Sequence, residues 1–274
     1  MKKRGRPKKN VTEQEPVHVQ IDFSQITKLK DIVIDERMFE QMKSGLALDS
    51  LISHEGGVPS ATNIIACGDP GIGKTTILLD LLSAIQLKDP SKKCLFISGE
   101  MGKKQMFKYT QRFPQFGVVE TIFVSDYVDH NVKDVMEQVM NIGWDLILID
   151  SIAEVLDGVR NDNGWDRKTA ESWLVDECVK NNKGNNLTNK YTTFVCIQQV
   201  RKDGGAVGSN KLKHMTDALL EVRREKESSG GGTYLEFTKN RNGKIENKLY
   251  FQLTGTQIVY SNIEAREEVE DNDE

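Results

Sequence analysis

The sequence predicts an α/β fold in which a mostly parallel sheet is flanked by helices, with antiparallel edge strands near the C-terminus. Five short apolar runs, at 63–67, 94–98, 121–125, 146–150 and 193–198, alternate with helical stretches. These runs lack polar alternation, as strands buried on both faces do. Three more runs, at 219–223, 233–239 and 248–253, read as antiparallel strands at the sheet edge.

At 274 residues the chain has room for one large α/β domain with short tails. Hydrophobic residues make up 38% and charged ones 28%, which supplies a core and argues against disorder of the whole chain. Residues 1–25, with Lys2, Lys3, Arg4, Arg6, Lys8 and Lys9, read as a flexible basic arm. From 26 to 52 apolar residues recur at mixed spacing, predicting a short lead-in strand and then a helix ending near Gly45. The core domain is expected over 26–260. Residues 261–274 form an acidic tail, with Glu264, Glu267, Glu268, Glu270, Asp271, Asp273 and Glu274. The net charge of −4 hides this asymmetry. A basic arm is compatible with nucleic acid, and the acidic tail either competes with DNA for basic surface or simply solubilises.

Cys67, Cys94, Cys178 and Cys196 are far apart and form no C-x-x-C pair, so reduced, mostly buried thiols are expected and not a zinc or disulfide framework. No run approaches a membrane span and no apolar segment follows the basic N-terminus, which predicts a cytoplasmic protein, in the host cytoplasm if the chain is viral.

The segment Gly68-Asp69-Pro70-Gly71-Ile72-Gly73-Lys74-Thr75 fits G-x-x-x-x-G-K-[ST], follows a strand and leads through Thr76 into a helical run. Its glycines let backbone N–H groups wrap phosphate oxygens, Lys74 sets a cation against the outer phosphates, and Thr75 offers a hydroxyl to Mg²⁺. The run Leu146-Ile147-Leu148-Ile149-Asp150 ends a buried strand with a carboxylate that either orients Mg²⁺ or caps the next helix. Glu100, delivered by the strand ending at Gly99, is a candidate to activate water; otherwise it is a first-turn helix acid.

Together with Ile97-Ser98-Gly99-Glu100 and Ile149-Asp150-Ser151-Ile152, the phosphate loop resembles the nucleotide motifs of the bacterial RadA family, which are RecA-class ATPases of DNA recombination. Three further segments are similar to that family. They are Ser44-Gly45-Leu46-Ala47-Leu48-Asp49 ahead of the loop, the glycine-rich 200–208 with the helix after it, and Lys239-Asn240-Arg241-Asn242-Gly243, with Asn242 where the family has phenylalanine. The likeness covers roughly residues 40–255. It implies a RecA-like fold, ATP and Mg²⁺ as cofactors, and a ring or filament with ATP between subunits. Lys239 and Arg241 would then reach a neighbour's γ-phosphate. Gln198 or Gln199 would sense that phosphate and signal to the loop 201–211, which would touch single-stranded DNA.

Arg201, Lys202, Lys211 and Lys213, with Gly204, Gly205 and Gly208, give that loop charge and flexibility for a phosphate backbone, though such a loop also reads as a solvated turn. The family's zinc ribbon and its C-terminal protease-like domain are not matched, so a compact viral or plasmid-borne version is expected. Lys3-Arg4-Gly5-Arg6-Pro7-Lys8-Lys9 resembles an AT-hook, with Arg4 and Arg6 suited to an A·T-rich minor groove; a non-specific basic tail fits equally. Residues 160–173, with Trp165 and Trp173, read either as a second DNA-facing loop or as a packed surface helix. The leading functional expectation is a DNA-stimulated ATPase in recombination, repair or replication, working as a hexameric single-strand translocase or helicase. A strand-exchange filament and a nucleotide-dependent switch or loader are the alternatives.

Overall fold

The computed structural model describes residues 26–199, 215–225, 231–245 and 247–264. The chain divides into two units, Met1–Ile34 and Asp35–Glu274. In the first, the described element is one 3-10 turn, Leu29–Asp31.

The second unit is built on a nine-stranded sheet. Its strands are β3 (Asn63–Gly68), β4 (Cys94–Ser98), β5 (Glu120–Phe123), β6 (Leu146–Asp150), β7 (Thr193–Gln199), β8 (Ala218–Arg224), β9 (Thr233–Asn240), β10 (Lys248–Leu253) and β11 (Ile258–Glu264), in the order β11-β10-β9-β8-β3-β7-β6-β4-β5. From β8 to β5 all neighbours are parallel, and β9, β10 and β11 continue antiparallel. All five residues of β4 and of β6 are buried, as strands covered on both faces require. A separate two-stranded ribbon pairs β1 (Gln41–Met42) with β2 (Val58–Pro59).

Helices cover both faces. On one side α2 (Lys74–Lys88) and α3 (Lys103–Arg112) pack with α1 (Leu48–Ile52). On the other lie α4 (Val132–Asn141), α5 (Ile152–Asn163) and α6 (Arg167–Asn182). α2 is buried nearly all round, because the sheet holds one side and the 3-10 turn Pro114–Val118, with Phe113 and Phe116 stacked at 5.0 Å, closes over another. α4 starts where Asn131 accepts hydrogen bonds from the N–H groups of Lys133 and Asp134, and α6 where Asp166 accepts from Thr169. α5 stops at Gly164, which adopts φ +63.

Three expectations are corrected. The lead-in carries no helix ending near Gly45: a 3-10 turn, Glu36–Phe39, is followed by β1, and the helix begins after the glycine. The cause is Asp49, whose carboxylate accepts hydrogen bonds from Ser44 N, Ser44 Oγ and Gly45 N, making Gly45 the entry to α1. The run at 219–223 pairs parallel to β3, so the antiparallel part starts one strand later, at β9. β11 was not expected as a strand, and it spans Ile258–Glu264. Residues 160–173 are the end of α5, a short turn and the start of α6. Trp173 there is 9% exposed and donates to Glu137 at 2.7 Å.

Candidate nucleotide-binding site

The site lies at the carboxyl ends of β3, β6 and β4. β3 runs into a loop that returns as α2, with Gly71 at φ +74 and Gly73 at φ +109. Gly73 occupies the N-cap of α2 without side-chain capping, so the first-turn N–H groups face the loop. A Cβ on Gly68 would stand 2.4 Å from Val222 O, so the strand can run this close to β8 only with glycine.

Lys74 folds back over the loop and donates from Nζ to Gly68 O at 2.8 Å and Asp69 O at 2.9 Å. Burial pushes its pKa down, opposed by the charge of Asp150. Thr75 donates to Asp150 Oδ2 at 2.5 Å. Asp150 is 3% exposed, and burial raises its carboxyl above the ordinary range, against the hydrogen bond from Thr75. Glu100 adds to that rise and is held nearby, because Gly99 N and Glu100 N both donate to Asp150 O, at 2.7 and 3.2 Å. Lys74, Thr75, Thr76, Glu100 and Asp150 thus line one cleft of about 340 Å³, with Pro70, Gly71 and Gly73. Asp69 lies in the same loop, and Ile72 packs beneath it in the core.

Thr75 and Asp150 form a hard oxygen pair suited to Mg²⁺ held mainly by phosphate and water. Among the described residues no cluster of three or more His, Cys, Asp or Glu could hold a metal without such a ligand. The four cysteines are free and buried, and burial pushes Cys67, Cys94 and Cys196 up to about 12. No helix among the described residues is long and apolar enough to cross a membrane.

Of the other expected residues, Gln198 and Gln199 are on β7, and Lys239 and Arg241 stand at and just after the end of β9. Gln199 is paired with Gly68 at the cleft end of β7. Gln198, 4% exposed, is on the opposite face of β7 from the cleft-lining Ile197. Asn240 pairs with Ala218, which pairs with Ile64 at the start of β3. Lys239 and Arg241 therefore sit at the other end of the sheet, roughly 13 Å along the strands from the level of Gly68. There Arg241 pairs with Asp217 at 3.1 Å, and Lys239 donates to Thr216 O. Arg4, Arg6, Arg201, Lys202, Lys211 and Lys213 lie outside the described residues.

Six cleft residues were not anticipated: Met101, Tyr109, Arg112, Ser151, Ile197 and Leu253. Tyr109 and Arg112 stand one turn apart on the helix after Glu100, a spacing visible in the sequence. Arg112 is held by the β10–β11 turn, donating to Thr254 O at 2.6 Å and Gly255 O at 2.7 Å. Leu253 arrives from far along the chain and carries no local signal.

No family model matches the chain. It is 27% identical over 241 residues to the DNA repair protein RadA of Streptococcus pyogenes serotype M1, covering 86% of this chain and 48% of that one. It is 29% identical over 206 residues to RadA of Listeria monocytogenes serovar 1/2a, covering 74% and 42%. The chain is RadA-like. It spans about half the length of these curated relatives. Among solved structures, a KaiC-like protein of Pyrococcus horikoshii OT3 matches with TM-score 0.59 and 16% identity, over 81% of this chain and 99% of that one. The flagellar accessory protein FlaH of Methanocaldococcus jannaschii matches with TM-score 0.58 and 16% identity, over 80% and 99%. The RadA-like chain therefore has a RecA-like fold.

Proposed function

We propose that this chain is an ATP-hydrolysing, DNA-dependent ATPase of DNA repair or recombination, acting on single-stranded DNA as a ring-forming translocase. The observation that carries this is the convergence of Lys74, Thr75, Asp150 and Glu100 on one cleft.

The loop from Gly68 to Thr76 would hold the phosphates through its N–H groups, with Lys74 exchanging its two carbonyl partners for phosphate oxygens. Thr75 and Asp150 would hold Mg²⁺, which when bound neutralises phosphate charge. Glu100 would take a proton from water as the water oxygen bonds to the terminal phosphorus. The bond from that phosphorus to the bridging oxygen breaks, and the electron pair leaves with ADP.

Lys239 and Arg241 sit at the far end of the sheet from their own phosphate loop, which favours their serving the nucleotide of another copy. Gln199 would report the terminal phosphate to the basic segment bearing Arg201, Lys202, Lys211 and Lys213. Arg4 and Arg6 would add duplex binding at A·T-rich sites.

Phosphate release measured with single-stranded DNA, duplex DNA and no DNA tests this reading. A several-fold rise with single strands, lost when Lys202, Lys211 and Lys213 become alanine, is expected. A rate indifferent to both changes would favour a nucleotide-dependent switch. Electron microscopy would separate the ring from a strand-exchange filament.

A further inference from the structure

Ser151 immediately follows Asp150, is fully buried and lines the cleft, yet its Oγ has no hydrogen-bond partner. It also occupies the N-cap of α5, a place where serine ordinarily accepts a hydrogen bond from the helix, and here the side chain makes none. A buried hydroxyl is costly to leave unpaired, and nothing in α5 claims this one. The backbone around it is tied to the water-activating residue, because the N–H groups of Gly99 and Glu100 both donate to Asp150 O.

We propose that Ser151 is a positioning residue for hydrolysis, its hydroxyl holding the attacking water beside Glu100. A hydroxyl accepts as well as donates. Water can give one hydrogen to the Glu100 carboxylate and the other to Ser151 Oγ, which leaves an oxygen lone pair directed at the terminal phosphorus. The hydrogen of Ser151 is then free to donate to a phosphate oxygen. The water proton still passes to Glu100, and Ser151 ends the step unchanged. This rests on the ATPase reading above.

The test compares wild type, Ser151→Ala, Glu100→Gln and the double variant. Turnover, binding of ADP alone, binding of ADP with aluminium fluoride and thermal melting are measured for each. Ser151→Ala should lower kcat about 10- to 100-fold and weaken the aluminium fluoride complex by a similar factor. Its KM for ATP, its ADP affinity and its melting temperature should hold, or the last should rise as an unpaired hydroxyl is removed. The double variant should lose no more activity than Glu100→Gln alone, because both side chains hold one water. Turnover within about two-fold of wild type would overturn the proposal, and so would a loss of ADP binding and melting temperature together. Failure of the wild type to hydrolyse ATP would instead sink the ATPase reading itself.

Discussion

Thr75 and Asp150, 75 residues apart in sequence, share a 2.5 Å hydrogen bond that ties the first turn of α2 to the tip of β6. It is the main favourable contact of a carboxylate that burial drives toward protonation. Thr75→Val keeps the shape and removes the donor, so it should cost roughly 1–3 kcal/mol of stability by leaving Asp150 unpaired. It should also lower ATP turnover about 100-fold by removing a magnesium ligand. Chemical denaturation and phosphate release check the two effects separately.

Gly68 and Gly71 test the phosphate loop in different ways. A Cβ at Gly68 meets the fixed backbone oxygen of Val222, whereas at Gly71 it meets open space. Gly68→Ala should destabilise by roughly 2–4 kcal/mol and Gly71→Ala by about 1 kcal/mol, its positive φ alone being strained. Equal losses in denaturant titrations would contradict the packing described here.

Asp80, inside α2, is 8% exposed and is met by Tyr260 OH at 3.2 Å and Gln115 Nε2 at 3.3 Å. Burial raises its carboxyl above the ordinary value of 3.8, outweighing both hydrogen bonds. The folded chain thus keeps this proton to higher pH than the unfolded chain. The associated stability is full below 3.8 and is lost as pH rises through the raised value. Asp80→Asn removes the titration, so the melting temperature of wild type relative to the variant should fall as pH rises from about 4 to 7. A difference independent of pH would contradict the raised value.

The legibility of this chain followed its local signals. The phosphate loop, the Asp150 strand and Glu100 were readable because each is a short run whose pattern already implies its place at a strand end. Gly45 misled because a glycine after a helical pattern usually ends a helix, while here Asp49 gathers the N–H groups of Ser44 and Gly45 and starts one. β8 misled because a strand's direction is set by its partner, and nothing within Ala218–Arg224 records pairing with β3. Arg112 escaped notice because its partners, Thr254 and Gly255, lie more than 140 positions away.

Arg241 gives a test of assembly. Lys74→Ala carries an intact Arg241, and Arg241→Ala carries an intact phosphate loop. If the arginine serves a neighbour, each variant alone should be inactive while an equal mixture regains hydrolysis at about one interface in four. A mixture no more active than its parts would remove the role across subunits.

Phosphate release from ATP in magnesium, measured side by side for wild type and Lys74→Ala, bears most directly on the nucleotide cleft. Wild type should turn over ATP, faster with single-stranded DNA, and Lys74→Ala should be at least about 100-fold slower under every condition. Equal rates for the two proteins, or no turnover by wild type with any DNA, would contradict the cleft as the seat of hydrolysis.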